Sequence, residues 1–273
     1  WLAMDEREDL RKDPDLYPGF DDHLVVDLRR SLEHFTDDVV WSESSDYRQL
    51  LLDKHLFLNE RLASYYRTEA LPGSGFQKVA LPDDQRSGIF THPFLLSLNA
   101  YHDNTSPIHR GVFLSRYVLG RLLKPPPEAI AFKDEQFDPS LTMREKVTKL
   151  TEQDTCMQCH RVINPVGFSL ENFDAVGRSR SQDNRKPVNT VTDYIDEKDE
   201  KVHITSARDF ATLAAGSKAA HRAFITHLFH HFTKQSINAY GPGTLESLRA
   251  KFTESGYNIQ SLLIECTALA VSH

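Results

Sequence analysis

Residues 156–160 read Cys-Met-Gln-Cys-His, and this pentapeptide constrains the chain more than any other part of its sequence. Two cysteines separated by two residues and followed directly by a histidine form the attachment signature of a c-type haem. Thioether bonds from Cys156 and Cys159 to the porphyrin need this short spacing, and His160 is then placed to ligate the iron. We therefore predict one covalently bound haem c, held by Cys156, Cys159 and His160.

Two other kinds of site use a similar cysteine spacing. A zinc knuckle needs two further ligands at finger-like spacing, but the third cysteine of the chain, Cys266, lies in a distant helical pattern. A thioredoxin-like dithiol is expected after a strand in a βαβ pattern, which the flanking sequence does not show. The sequence therefore favours haem over both alternatives, and Cys266 is predicted to be a buried apolar residue.

The composition favours a folded protein, and the haem motif implies export. The chain has 273 residues, 40% of them hydrophobic, and a net charge of -7. This acidic balance disfavours a nucleic-acid partner, and no stretch is long and apolar enough to predict a membrane span. Covalent haem attachment takes place outside the cytoplasmic membrane, so the motif implies a periplasmic or otherwise exported protein. The expected partner is a redox protein or an upstream domain of the same polypeptide.

Helical spacing of apolar residues dominates the N-terminal part. One stripe follows an Asp-rich start, and another follows Ser44, Ser45 and Asp46, which are good helix caps. These stripes consist of Leu24, Leu28, Leu32 and Phe35, and of Leu51, Leu58, Leu62 and Tyr65. Residues 71–109 are rich in Pro, Gly, Asn and Asp, which predicts a long ordered loop.

The sequence around the motif predicts helices before it and turns after it. A helix over residues 111–123 is expected to stop at the triple proline 125–127. Thr142 and Glu145 form a capping box that opens the next helix. Residues 164–180 predict a turn, a short helix and a second turn, so that the chain crosses the haem edge soon after the motif.

The C-terminal part is predicted to be helical again. The acidic segment 193–201 indicates an exposed hairpin or loop. Helices are expected after Ser206, from Ser217 to about Gln235, and over residues 244–255. A final helix buries Cys266.

We predict a mainly α fold, in which a helical c-type cytochrome module is flanked by helical regions and long ordered loops. The predicted divisions are an N-terminal helical region over residues 1–70, a haem-binding region over 71–200, and a C-terminal helical domain over 201–273.

A low-spin electron carrier needs a second axial ligand, which is a methionine or a histidine. Met157 lies between the attachment cysteines, and Met4 lies in a polar stretch, which leaves Met143. Met143 shares a predicted helix face with Val147 and Leu150, so the distal ligand is predicted to be Met143. The alternative is that Met143 only packs in the core, as methionine often does.

Four histidines compete with Met143 for the sixth position. His221 lies in the apolar stripe of a C-terminal helix, and His231 flanks that stripe. His92 and His109 lie in the loop-rich region. A vacant sixth position is also consistent with the sequence.

Two arginines and a phenylalanine after the motif complete the predicted haem site. Arg178 and Arg180 follow closely enough to pair with the haem propionates, because guanidinium groups suit carboxylates. The alternative is that both form ordinary surface salt bridges. Phe168 is predicted to form an apolar wall beside the haem, together with Phe173.

From about residue 41 onward, the order of motifs resembles the planctomycete-type multidomain cytochrome c family, large exported proteins built from PSCyt- and PSD-type domains of unknown function. The resemblance is carried by FLNERLASYY at 57–66, RSGIFTHPFLLSLNA at 86–100, TSPIHRGVFL at 105–114, the triple proline, and CMQCHRVINPVGFSLENFDAVGRSR at 156–180. It implies a mostly helical haem-binding module, of which this chain is a C-terminal portion. Many relatives carry a histidine six residues before the first haem cysteine, where this chain has Leu150.

Three functions are compatible with these patterns. The first is electron transfer, in which the iron cycles between Fe(II) and Fe(III). The second is a peroxidase-like haem enzyme with an open or weakly ligated sixth site. The third is an interaction module of a larger redox assembly, stabilised by its haem. Electron transfer is the function that we predict.

Overall fold

The computed structural model describes residues 1–2, 10–68, 75–80, 86–123 and 132–272. The predictions for Met4, the turn at 71–74 and the triple proline at 125–127 lie outside these residues. The helices of the described residues are α1 (Asp22–Val40), α2 (Tyr47–Leu52), α3 (Glu60–Tyr65), α4 (Pro93–Leu98), α5 (Pro107–Phe113), α6 (Met143–Leu150), α7 (Asp154–Phe168), α8 (Ala207–Gly216), α9 (Lys218–Thr233), α10 (Thr244–Glu254) and α11 (Ile259–Ser272).

Within the residues that the structure describes, six short strands form three separate antiparallel pairs. The strands are β1 (His55–Leu58), β2 (Gln77–Ala80), β3 (Gln182–Asp183), β4 (Lys186–Pro187), β5 (Thr192–Ile195) and β6 (Lys201–Ile204). Each strand pairs with the next one in sequence. The prediction of a mainly α fold is therefore confirmed.

Helix α1 follows directly from its sequence pattern. The side chain of Asp21 accepts a hydrogen bond from the Leu24 backbone N–H, which caps the first turn. All four residues of the predicted apolar stripe are buried. Because they recur at helical spacing, they give α1 one continuous face toward the core.

The second apolar stripe belongs to three elements, so the prediction of one helix there was wrong. α2 ends at Leu52, and the next residues form β1, in which His55 pairs with Ala80 of β2. Leu56 and Leu58 alternate with less buried residues, as a strand requires. Asn59 then caps α3. The leucine spacing fitted a helix because strand and helix periods coincide over so few residues.

The region predicted as a loop between residues 71 and 109 contains regular structure. β2 pairs with β1, and α4 is entirely buried. His92 caps α4, and Pro93 occupies its first turn, where a missing N–H costs nothing. The loop prediction was wrong here because the turn-forming residues also serve as helix caps.

Helix α5 begins earlier than the predicted start at residue 111, since Ser106 caps it and Pro107 opens it. It continues into a π-helical turn over Leu114–Val118. α5 packs closely on α7, and glycine makes this approach feasible. A Cβ atom at Gly111 would collide with the Ile163 carbonyl oxygen, and one at Gly167 would collide with the Pro107 carbonyl oxygen.

The C-terminal elements agree with the sequence pattern. Ser206 and Ser217 cap α8 and α9, the acidic segment forms the β5–β6 hairpin, and Cys266 is fully buried. In α9, Phe229 is buried and Phe232 is exposed.

The main buried cluster includes residues from all three predicted regions, from Leu2 to Cys266. The division at residues 70 and 200 stays a prediction. Among the described helices, none has the length and apolar character that crossing a bilayer requires.

Candidate haem attachment site

The CMQCH motif lies in the first half of α7. Cys156, Cys159 and His160 are separated by three and four residues, so they share one face of the helix. All three are half-buried, and both cysteines are free thiols. Met157, between the cysteines, is exposed. The three groups that a c-type haem requires therefore lie together on an accessible helix face.

The second half of α7 anchors the first half. Residues 163–168 are all buried, and this is the part that crosses α5 at Gly111 and Gly167. The predicted turn over Asn164–Phe168 was therefore wrong, because these residues continue the helix. Pro165 lies inside α7, and Gly167 serves close packing instead of a turn.

A buried arginine holds the segment that follows α7. Arg110, on α5, is almost completely buried. Its guanidinium group donates to the carbonyl oxygens of Leu170, Phe173 and Asp174, at 3.2, 2.8 and 2.6 Å. Burial lowers the pKa of Arg110 to about 10, and the nearby carboxylate of Glu171 opposes this shift. The segment that follows α7 is thus bound to α5, the helix that Gly167 of α7 also contacts.

One nitrogen of His160 is held, and the other is available. Nδ1 of His160 lies 2.8 Å from Oδ1 of Asn164, one helical turn later. Nε2 has no hydrogen-bond partner among the described residues. A histidine that ligates a metal normally has its second nitrogen fixed by such a neighbour. The donor set of two thiols and an oriented imidazole fits a covalently attached haem.

Met143 lies in a small buried cluster with Val147 and Phe168. Phe168 is eight residues after His160 on the same helix, which is a rise of about 12 Å. Met143 is 1% exposed, and the guanidinium group of Arg144 lies over the Phe168 ring at 4.6 Å. The structure therefore packs Met143 near the far end of α7, and its role as distal ligand stays a prediction.

His92 and His221 are engaged elsewhere. Nδ1 of His92 accepts from the Phe94 backbone N–H, and its Nε2 lies 3.3 Å from Ser31 Oγ. Nε2 of His221 is 2.9 Å from the Ala215 carbonyl oxygen. Both rings are buried. They stabilise helix ends in the core, and the structure does not bring either one to His160.

The other two candidate histidines are exposed. His109 lies on α5, with its ring 5.1 Å from that of Tyr101. His231 lies near the end of α9 beside Phe232. Ligation by either histidine stays a prediction.

Arg178 and Arg180 pair with carboxylates of their own neighbourhood. Nε of Arg178 is 3.0 Å from Asp174. The guanidinium group of Arg180 lies 2.9 Å from Glu171 and 3.0 Å from Asp183. These ion pairs match the alternative reading of both arginines as structural residues, and their pairing with propionates stays a prediction. Phe168 packs against Met143, and its role as a haem wall likewise stays a prediction.

The sequence prediction missed Asn164 and Thr151. The amide Nδ2 of Asn164 donates to Thr151 Oγ1 over 2.8 Å, which links α7 to the end of α6. The available signal was the four-residue spacing of His160 and Asn164, which places them on one helix face. That signal was obscured because Asn164-Pro165 is typical of turns.

Comparison with protein families gives a match for two segments of the chain. Residues 86–183 match the family PSCyt3, and residues 1–67 match the family PSD4. The chain carries a PSCyt3 domain and a PSD4 domain. Both families are described as proteins of unknown function, DUF1588 and DUF1592 respectively. This finding confirms the resemblance to the planctomycete-type proteins.

The PSCyt3 match includes α4 to α7, and with them the whole CMQCH motif, whereas the PSD4 match includes α1 to α3. Domains of these families are parts of larger multidomain proteins. No curated protein and no solved structure matches the chain.

The described residues contain no group of three or more His, Cys, Asp or Glu side chains that converge as a metal site. The acidic segment of the β5–β6 hairpin forms its own ion pair instead, in which Asp193 lies 2.7 Å from Lys201.

Proposed function

We propose that the PSCyt3 domain attaches one haem c through Cys156 and Cys159, with His160 as proximal ligand, and that the chain acts in electron transfer. One observation carries the proposal: the two thiols and the available Nε2 of His160 lie on one accessible face of α7. The name PSCyt3, which marks a cytochrome-associated module, supports it.

The roles of the three residues follow from their chemistry. The thiols of Cys156 and Cys159 would each add across one vinyl group of the porphyrin, with the thiol hydrogen passing to a vinyl carbon, so that a thioether would form and nothing would be released. His160 donates its Nε2 lone pair to the iron. A bound haem supplies a one-electron couple between Fe(II) and Fe(III).

The rest of the PSCyt3 domain holds this face in place. The buried half of α7 is fixed by the glycine contacts with α5 and by Arg110. The exposed half projects from that anchor. A rigid support of this kind suits electron transfer, because the site keeps one geometry in both oxidation states.

We also propose that the chain is exported, since haem c is attached outside the cytoplasmic membrane. Its electron partner is then a redox protein or a neighbouring domain of the same polypeptide. The acidic net charge of -7 suits a basic partner surface.

The proposal is tested by producing the chain in the periplasm of a host with a c-type maturation system. We expect the intact mass to rise by one haem, and the haem to survive denaturation. The Cys156→Ser, Cys159→Ser double variant should carry none. Cys266→Ser is the matched control, because Cys266 is fully buried on α11, and it should keep the haem. Unmodified polypeptide in the wild type would refute the proposal.

A second candidate function is a haem enzyme with an open sixth site. It is favoured by one observation, namely that Met143, His92 and His221 are all packed away from the motif. Rapid binding of carbon monoxide and fast reaction with peroxide would support this function. A reversible one-electron titration without either reaction would support electron transfer.

A further inference from the structure

We infer that Asn164 and Thr151 are positioning residues, which hold His160 as the Nδ1–H tautomer and thereby help to set the reduction potential of the site. The part that concerns the potential rests on the proposed function. The part that concerns the tautomer applies equally to the chain without a cofactor.

The donors and acceptors among Thr151, Asn164 and His160 can be assigned by starting from Thr151. Thr151 Oγ1 lies 2.8 Å from the Val147 carbonyl oxygen, and a carbonyl oxygen only accepts. The single hydroxyl proton of Thr151 is therefore donated to Val147. Thr151 Oγ1 must accept its other hydrogen bond, which makes the Asn164 group that faces it the amide NH2.

This orientation of Asn164 determines which ring nitrogen of His160 carries the proton. With Nδ2 directed at Thr151, the oxygen Oδ1 is the atom that faces His160 Nδ1, at 2.8 Å. An amide oxygen accepts, so Nδ1 must carry the proton. Nε2 is then the nitrogen with a free lone pair, and it lies on the motif face of α7.

Burial gives these hydrogen bonds their strength. Asn164 is 6% exposed, and Thr151 is 3% exposed. Water cannot readily replace a partner there, so an unpaired amide or hydroxyl at such a position is destabilising. The alternative amide orientation would place the Asn164 oxygen against Thr151 Oγ1, whose proton is donated to Val147, and would leave these two oxygens without a shared proton. The observed arrangement is therefore the one that satisfies every group.

A fixed Nδ1–H bond changes how strongly the imidazole donates electrons. A hydrogen bond from Nδ1–H to an oxygen makes Nε2 a more basic ligand, which favours the ferric state. Loss of the acceptor should raise the reduction potential, and a carboxylate in its place should lower it. Asn164→Leu and Asn164→Asp should thus shift the potential in opposite directions.

The tautomer can be measured in the chain without haem, by nitrogen-15 NMR of the imidazole rings near neutral pH. We expect His160 to be protonated at Nδ1. His92 provides an internal reference, because its Nδ1 accepts from the Phe94 N–H and its proton must therefore lie on Nε2. A His160 ring protonated at Nε2, while His92 behaves as expected, would overturn the inference.

Variants at Thr151 and Thr148 test whether the hydrogen bond from Asn164 to Thr151 holds the His160 tautomer. Thr151→Val removes the hydroxyl and should give His160 a mixture of both tautomers, whereas Thr151→Ser should retain the wild-type signal. Thr148→Val is the matched control, because Thr148 forms the same kind of bond, to the Arg144 carbonyl oxygen at 2.9 Å, on the exposed side of α6. If Thr148→Val changed the His160 imidazole signal as much as Thr151→Val, the role of Thr151 in holding the tautomer would be contradicted.

In the haem-loaded protein, we expect the ferric-to-ferrous ratio at a fixed potential to differ by about tenfold between Asn164→Asp and Asn164→Leu. This is about 59 mV for one electron, with the wild type between them. Equal potentials in all three proteins would refute tuning by Asn164. If no haem is incorporated, the NMR result still decides the tautomer, so failure of the proposed function is distinguished from failure of this inference.

Discussion

His160 is the predicted proximal iron ligand and His92 is one of the candidate distal ligands, and their rings differ in burial and in hydrogen bonding. His92 is fully buried and uses both ring nitrogens, one toward Phe94 and one toward Ser31. His160 is half-buried and uses one nitrogen, toward Asn164. A histidine with both nitrogens engaged holds the fold together, whereas one with a single fixed nitrogen is prepared for a ligand.

The electrostatic surroundings of His92 reinforce this difference. Burial, with a smaller contribution from the charge of Arg86, lowers the pKa of His92 to about 3. The ring is therefore neutral in the folded protein at ordinary pH, and it acts as a helix cap. Its place between α1 and α4 is a structural one.

The largest expected contrast comes from replacing each histidine by alanine. His92→Ala removes a helix cap and leaves a buried cavity, so we expect the free energy of unfolding to fall by about 3 kcal/mol. His160→Ala leaves Oδ1 of the buried Asn164 without its partner, so we expect a smaller loss of about 1 kcal/mol in the chain without haem. Chemical denaturation of both variants measures this difference.

The same pair should show the reverse order in haem binding. We expect His92→Ala, wherever it folds, to retain the spectrum of the loaded wild type, and His160→Ala to lose it. A normal spectrum in His160→Ala would mean that His160 does not ligate the haem iron.

The helix crossing that supports His160 is tested by Gly167→Ala. The added methyl group would collide with the Pro107 carbonyl oxygen, and we expect destabilisation by about 1–3 kcal/mol. Gly216→Ala is the control, because a Cβ there meets no atom within 4 Å. That substitution should be neutral or stabilising by about 0.5–1 kcal/mol. Equal effects of the two substitutions in thermal unfolding would show that the crossing is not tightly packed.

The buried ring of His92 should make the fold sensitive to acid. The pKa is about 3 in the folded state and near 6.5 in the unfolded state, so between these values the unfolded chain binds more protons. The stability that depends on neutral His92 is complete above pH 6.5 and falls as the pH decreases toward 3. The slope approaches about 1.4 kcal/mol per pH unit.

His92→Asn isolates this contribution, since asparagine caps helices well and does not titrate. The variant should lose less stability than the wild type between pH 7 and pH 4.5, as measured by urea denaturation at both values. An identical pH dependence in the two proteins would exclude His92 as the source.

The smallest effect is expected at Met143. Met143→Leu roughly conserves volume in a buried cluster, so the stability should change by less than about 1.5 kcal/mol. The ferric spectrum of the loaded protein decides between packing and ligation. An unchanged spectrum supports packing beside Phe168, while loss of the methionine-to-iron charge-transfer band would support Met143 as the sixth ligand.

The sequence predicted those features that depend on local pattern. The capping box of Thr142 and Glu145, the buried face of α1 and the burial of Cys266 all follow from spacing along one helix, and all are present. The CMQCH residues share a face for the same reason. Such features need no knowledge of what packs against them.

Features that depend on distant contacts were not predictable in this way. Gly167 and Pro165 are typical of turns, yet both lie in α7, where the close approach of α5 leaves no room for a side chain at Gly167. The fixed orientation of His160 depends on Thr151, the residue that caps the end of α6. His92 appeared to be a ligand candidate because its partner Ser31, on α1, is 61 residues away and cannot be seen in the local sequence.

The contact between the backbones of α5 and α7 has a consequence for how the PSCyt3 domain tolerates evolutionary change. Main-chain atoms meet main-chain atoms at Gly111 and Gly167, so the angle at which the motif helix leaves the domain does not depend on which side chains fill the surrounding space. Substitutions of similar size at the neighbouring apolar positions are therefore expected to leave the direction of α7 unchanged.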